Sequence, residues 1–344
     1  MIISDKKATR YHTQRHNRRL VFTTIYRHAP ISRAGIARLT DLTATTVSSV
    51  VSELVAEGLV AEQASVPSTH GKPPILLRVN TDGHRMICLD LAGSVFQGAI
   101  ANLRGEILHR ISIPIEGRTD EAALAVAYDL VDALLPAANS SVLGIGVGAP
   151  GIVDPENGLV HHAVNFDWNN LPLRTLLMAR YNRPAYVANA SHAAVLAEYV
   201  FGHRKNYPDL VVIKVDHEVG AGIMLNGKLL LGHGFGAGEI GHVRAVEDGE
   251  RCTCGSTGCL ETVCSSRAIL KRAHVIARDN PDSVLHRFAG NAGGLDMAAV
   301  IHAFDKPNDH RRARARDHQP GRHPPDPADG LRELWMTGKG LRVD

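Results

Sequence analysis

No apolar run in this 344-residue chain is long enough to cross a bilayer. That excludes a membrane-spanning helix. Nothing upstream of the cysteines resembles a secretory signal, so the expected location is cytoplasmic, where thiols stay reduced. Cysteine is scarce, at 5 residues, which leaves no disulfide framework to expect. Neither sign of charge dominates, with 38 Lys+Arg against 35 Asp+Glu. What remains is a globular composition, 44% hydrophobic and 21% charged, with room for two or three domains.

The small net charge hides a division. Residues 1–80 hold 11 Lys/Arg against 5 Asp/Glu, and residues 81–305 hold 18 against 24. A basic head on an acidic body points to a nucleic-acid-binding head.

The head carries helix signals in order. Residues 17–29 put Leu20, Val21 and Ile25, with Phe22 and Tyr26 less regularly, on one helical face that ends at Pro30. Ser32 can cap a short helix from Arg33 to Leu39. After a break at Thr40-Asp41-Leu42, Thr43 caps a third helix with Val47, Val50, Val51, Leu54 and Val55 as its buried stripe and Gly58 as its stop. Two short helices joined by such a break form a helix-turn-helix pattern. Two strands follow, at 59–61 and 75–79, joined by a turn that contains Lys72, which makes the expected unit a winged helix. The candidate DNA contacts are Ser32, Arg33, Thr43, Thr45, Thr46, Ser48, Ser49 and, on the wing, Lys72.

Three of the five cysteines crowd into one segment, Glu239-Ile-Gly-His242 followed by Cys252-Thr-Cys254-Gly-Ser-Thr-Gly-Cys259-Leu-Glu261. Glycines 255 and 258 let the backbone fold back so that three thiols meet one centre. With His242 as fourth ligand the set would close a structural zinc site, leaving no position for an activated water. Cys264 is an alternative ligand.

From residue 84 the pattern becomes strands at 86–91, 96–101 and 107–113, a helix at 120–136, and a buried strand at 142–148 entering a glycine-rich turn. A second round begins near 185, with a helix over 191–201 and strands at 210–215 and 221–225. Strands mixed with helices in this way argue for an α/β fold.

Three motifs in this body, Gly-Ile-Gly-Val-Gly-Ala-Pro-Gly-Ile-Val-Asp (144–154), Asn165-Phe-Asp-Trp168 and Gly-Ala-Gly-Glu239-Ile-Gly-His242 with its cysteines, resemble those of the ROK family of sugar-responsive repressors and sugar kinases. The resemblance covers roughly residues 15–305 and implies a winged head (1–80) on a two-lobed, actin-like (ribonuclease H-like) sugar kinase fold (81–305). It implies zinc in the cysteine cluster and sugar contacts from Asn189, Glu239, His242 and Glu261, with Gly151 as a backbone approach and Asn165 as a further candidate. It also implies a DNA operator as partner, a sugar or sugar phosphate as effector, and a homodimer or homotetramer as the assembly.

The chain departs from the kinase branch, whose members carry an aspartate base directly after the Asn189 position. Here the residue is Ala190, with His192 two further on. The family's two phosphate loops also fail, reading Asp90-Leu-Ala-Gly93-Ser94 and Asp216-His217-Glu218-Val219-Gly220. Two carboxylates facing a polyphosphate repel it by roughly 4 kcal/mol per charge pair at ~4 Å and an effective dielectric of ~20. No enzyme activity is therefore expected. Beyond Asp305 an Arg/His/Pro-rich tail (306–344) has no apolar period, reads as disordered or out of frame, and leaves the second lobe incomplete in expectation.

Overall fold

The computed structural model describes residues 10–64, 74–202, 207–289 and 294–305. Residues 306–344 and residues 65–73, which hold Lys72 and the turn expected between the two strands, lie outside the described residues.

The head is built from α1 (Arg10–His28), β1 (Ile31–Ser32), α2 (Arg33–Thr40), α3 (Ala44–Ala56), β2 (Val60–Ala64) and β3 (Ile75–Val79). Capping sets the helix starts as the sequence suggests: Ser32 Oγ accepts from the Gly35 amide, and Thr43 Oγ1 from the Thr46 amide. Asp41, in the left-handed region at φ 54°, turns the chain between α2 and α3. The first helix begins earlier than the apolar pattern indicates, because residues 12–16 are polar and exposed and continue the helix without adding to its buried face. Val21 and Ile25 are buried with Ile36, Val47, Val51, Leu54 and Leu77, whereas Leu20, Phe22, Tyr26 and Val55 are only half-buried. β2 and β3 pair antiparallel from Val60↔Val79 to Ala64↔Ile75, and β1 pairs the other edge of β3.

The body begins with β4 (His84–Asp90), β5 (Val95–Ala101), β6 (Ile107–Pro114), α4 (Asp120–Ala137) and β7 (Ser141–Ala149). Next come β8 (Ile152–Asp154), β9 (Leu159–Ala163), β10 (Trp168–Leu171), α5 (Leu173–Tyr181) and β11 (Ala185–Asn189). One sheet has the order β11-β7-β4-β5-β6, parallel across β11, β7 and β4 and antiparallel beyond. The buried stripe of α4 (Ala123, Val126, Ala127, Leu130, Val131, Leu134) packs against it. Phe96, Phe166 and Trp168 form an aromatic knot with ring centroids 5.1 to 6.3 Å apart, and Trp168 Nε1 donates to the Asp120 carbonyl. In the Asn165–Trp168 motif, Phe166 and Trp168 thus serve the core. β8, β9 and β10, a small antiparallel sheet, carried too few alternating residues to be read from the sequence.

α6 (Ala190–Phe201) then leads to a second sheet of β12 (Leu210–Val215), β13 (Val219–Leu225) and β14 (Lys228–Leu229). A Cβ on Gly222 would overlap the Ser191 carbonyl, so glycine lets β13 lie directly on α6. α7 (Glu261–Cys264) and the start of α8 (Ser266–Asp279) follow.

Head and body together form one compact unit that ends at Ile269, although the charge division falls near residue 80. The reason is a turn between β5 and β6. Its Leu103 is 7% exposed and belongs to the head's core. Leu270–Asp344 make up a second unit, described here for the rest of α8, α9 (Val284–Ala289) and α10 (Met297–Asp305). Within it the Phe288 ring meets His302 edge-on at 5.7 Å, and a His286 ring nitrogen lies 2.7 Å from the Ala277 carbonyl. No described helix is long and apolar enough to cross a membrane.

Candidate functional site

A cavity of about 350 Å³ opens where the two sheets meet the cysteine segment. That is within the usual size for a small-molecule site. Its walls include Gly151 and Asn189 from the ends of parallel strands, Asn165 from the loop after β9, Glu218 from the turn after β12, and Glu239, His242 and Glu261. All six residues expected at a sugar site therefore share one cavity.

Each wall residue is held by its local structure. Gly151, at φ +71°, passes so close to the His162 carbonyl that a Cβ would overlap it, so only glycine can stand there. Asn189 caps α6, its Oδ1 accepting from the Ser191 and His192 amides at 2.8 and 3.2 Å, while Nδ2 donates to the Gly151 carbonyl at 2.8 Å. It fixes the shape of the wall, with much of its hydrogen-bonding capacity already engaged. Glu261 is 3% exposed, and its Oε2 accepts from the Val219 amide at 3.1 Å.

Sequence reasoning missed the role of Glu218. Its place in the segment expected to be a failed phosphate loop suggested only repulsion of a nucleotide. In the structure its Oε1 accepts from Asn165 Nδ2 at 2.6 Å, across 53 residues of sequence. Burial pushes the Glu218 carboxyl above its usual range. The Asn165 hydrogen bond opposes that shift, and the nearby Glu261 adds to it. Burial also raises Glu239, against the pull of His242. Only long-range pairing could have shown that Asn165 and Glu218 meet.

Ala190 lines the cavity with an inert methyl group. His192 is 2% exposed, and its Nε2 lies 3.0 Å from the Ala237 carbonyl. It is not among the residues that line the cavity. Asp90 pairs with Lys214 Nζ at 3.2 Å.

Behind this wall lie the four expected metal ligands. The donor atoms of His242, Cys252, Cys254 and Cys259 all fall within 4.8 Å of one another. His242 Nδ1 is 3.6 Å from Cys252 Sγ, and Cys254 Sγ is 3.7 Å from Cys259 Sγ. A tetrahedral ion with metal–sulfur bonds of ~2.3 Å spans ligand edges of about 3.8 Å, so the donor set fits a four-coordinate metal. Burial pushes the Cys259 thiol up to about 12, which a bound cation would reverse, while the Ser256 backbone amide draws Cys254 down. Cys264 is outside the group. The other face of His242 looks away from the thiols: its Nε2 is 3.9 Å from Glu239 Oε2.

In the head, the candidate DNA contacts separate by role. Thr45, Ser48 and Ser49 are exposed on α3, and Thr46 is half-buried with its hydroxyl 2.9 Å from that of Thr43. Ser32 and Thr43 are caps, and Arg33 is paired with Glu62 at 2.6 Å. Those three hold the helices in place.

The family model described as "ROK family" matches residues 86–311, which take in the cavity and the cysteine cluster. The chain belongs to the ROK family. Among ROK proteins it is 36% identical over 258 residues to the "Xylose repressor" of Caldicellulosiruptor bescii, a match covering 74% of this chain and 65% of that protein. The chain thus spans less than two thirds of that relative's length. It is similar in structure to a solved "ROK family transcriptional regulator, homolog of E.coli MLC protein", at a TM-score of 0.71 and 29% identity, over 85% of this chain and 74% of that one. It is also similar to a "ROK family glucokinase from Streptomyces griseus in complex with glucose and AMPPNP", at 0.59 and 30%, over 64% and 70%. The ROK α/β body is therefore common to a regulator and a kinase, and the likeness to the regulator extends over more of this chain.

Proposed function

We propose that this protein is a sugar-responsive transcriptional regulator of the repressor type, with a winged helix-turn-helix head, a ROK sugar-binding body and no kinase activity. The observation that carries this reading is α3: a helix capped by Thr43, backed by the buried Val47, Val50, Val51 and Leu54, and presenting Thr45, Ser48 and Ser49 to solvent. A helix so placed in a helix-turn-helix enters the major groove with its N-terminal side chains against base edges. Similarity to a protein named as a xylose repressor agrees with this reading. So does Ala190 at the cavity wall, where a phosphoryl transfer would need a group able to accept the sugar's proton.

The sugar would be held by Glu239, His242 and Glu261, with Asn165, Asn189 and Gly151 completing the wall. Carboxylates accept from neighbouring hydroxyls. His242 would bind zinc through Nδ1 and meet the sugar through Nε2, the metal fixing its tautomer. Zinc's role is structural, since four protein ligands leave no open position. Two copies of the chain, as a dimer or as a pair within a tetramer, would place two α3 helices on successive turns of a pseudo-palindromic operator. The sugar then shifts the equilibrium between DNA-competent and incompetent arrangements by no more than its differential affinity for them.

Fluorescence anisotropy with DNA from upstream of the protein's own gene tests the reading. Binding should weaken steeply with salt, as phosphate contacts require. ATP-dependent sugar phosphorylation without specific DNA binding would replace it with the kinase function named for the glucokinase relative.

A further inference from the structure

The reading above leaves open whether the effector carries a phosphate. The walls of the cavity bear on this through a residue that the proposed sugar contacts do not include. Glu218 stands in the short turn between β12 and β13. The direction of its side chain is set by Asn165, whose amide donates to Oε1 at 2.6 Å. Glu218 is half-buried, and that contact holds its carboxylate at the cavity wall. Asp216, Glu239 and Glu261 line the same cavity. Among the described lining residues the one lysine or arginine is Lys214, and its ammonium lies 3.2 and 3.4 Å from the two Asp90 carboxylate oxygens.

The turn's backbone is closed as well. The Asp216 amide donates to the Glu218 carbonyl at 3.0 Å, and the Val219 amide to Glu261 Oε2 at 3.1 Å. Phosphate sites in loops of this kind rely on free backbone N–H groups converging on the anion. Here two of those amides already have partners, one of them an anion. A neutral polyol meets the same wall differently, because each hydroxyl can donate to a carboxylate oxygen.

We infer that Glu218 is a specificity-determining residue that makes this cavity accept an unphosphorylated sugar and reject its phosphate ester. The inference rests on the sensor function proposed above. A phosphate brought beside Glu218 and Glu261 meets negative charge in a partly desolvated site, where Coulomb repulsion is much stronger than in water. No arginine fork is available among the described wall residues to offset it.

Isothermal titration calorimetry on the full chain with its metal tests this. The probes are xylose, glucose and N-acetylglucosamine, set against glucose 1-phosphate, glucose 6-phosphate and N-acetylglucosamine 6-phosphate. At least one free sugar should bind, and more tightly than any of the phosphates tested by about tenfold or more, ~1.4 kcal/mol. Glu218→Gln keeps an acceptor for Asn165 while removing the charge, so it should narrow that ratio, chiefly by tighter phosphate binding. Glu218→Gly should do the same. Circular dichroism checks both folds, and the isosteric Gln variant decides if the Gly variant is unfolded. A phosphate ester that binds as tightly as its free sugar, or a ratio unchanged in Glu218→Gln, would overturn the inference and leave the sensor function standing. If no probe binds, the sensor function fails, and this inference with it.

Discussion

The guanidinium of Arg104 lies 4.6 Å above the ring of Tyr26, and its Nη1 donates to the Tyr26 carbonyl at 2.9 Å. Arg104 belongs to the body and Tyr26 to the first helix of the head. The turn that carries Arg104 is rigid: Asn102 Oδ1 accepts from the Arg104 and Glu106 amides at 2.9 and 3.1 Å, and Nδ2 donates to Glu106. Its neighbour Leu103 is buried among head residues. Because β5, which leads into this turn, pairs with β4, and β4 with β7, one sheet runs from the cavity wall to the head. A two-state movement at the cavity therefore has a physical route to α1.

Arg104→Ala should separate sensing from response. Loss of the stacking and the hydrogen bond is expected to cost stability by about 1–2 kcal/mol. Sugar affinity by calorimetry should change little. Operator binding, followed by anisotropy, should lose most of its sugar dependence. Full retention of that dependence would rule out this turn as the route.

Cys259→Ser removes a fully buried ligand of the four-donor group. Elemental analysis should show one metal per chain falling to nearly none. Sugar affinity should drop by roughly 10–100-fold, the scale seen when groups supporting a metal site are lost. Salt-sensitive DNA binding should persist, because the head's core lies outside the cluster. Unchanged metal content would remove the metal-site assignment.

Glu218 gives a pH test with a defined sign. Burial first, and then Glu261, raise its carboxyl above the ordinary 4.5, against the Asn165 hydrogen bond. In the pH range between the unfolded and folded values the native state binds more protons, so stability falls as pH rises through that interval. Glu218→Gln removes the penalty. It should raise the sugar-free melting temperature at pH 7 and change it little below pH ~4. A variant less stable than the parent at pH 7 contradicts this.

On α3 the exposed Ser48 is a position where a negative charge can be introduced without loss of packing. Ser48→Glu should leave the melting temperature within about 1 °C, since exposed substitutions usually change stability by under ~0.5 kcal/mol. It should also weaken operator binding at least tenfold through repulsion by phosphate. Equal affinity would place the interface elsewhere on the head.

Local signals made much of this fold legible. Ser32, Thr43 and Gly58 mark helix ends by hydrogen bonding and positive φ alone, and α2 and α3 follow from them. The four-donor cluster was equally open to reading, because its ligands lie within 18 residues (242–259). Glu218 and Arg104 were not. Their partners are 53 and 78 residues away, and neither a carboxylate in a turn nor an arginine after β5 announces a distant contact. The short strands β8 to β10 stayed hidden for a related reason, since Val153, Val160, Ala163 and Trp168 join a core shared with residues far away in the chain, which their own short pattern does not announce.

The central claim is that a sugar in the cavity changes the protein's hold on DNA. Its most direct measurement is an anisotropy titration of the full chain on its own upstream DNA at fixed salt, with and without a saturating concentration of the free sugar that binds most tightly. An operator dissociation constant altered about fivefold or more, with the change abolished in Glu239→Ala, is the expected result. The same constant with and without a demonstrably bound sugar would contradict the claim.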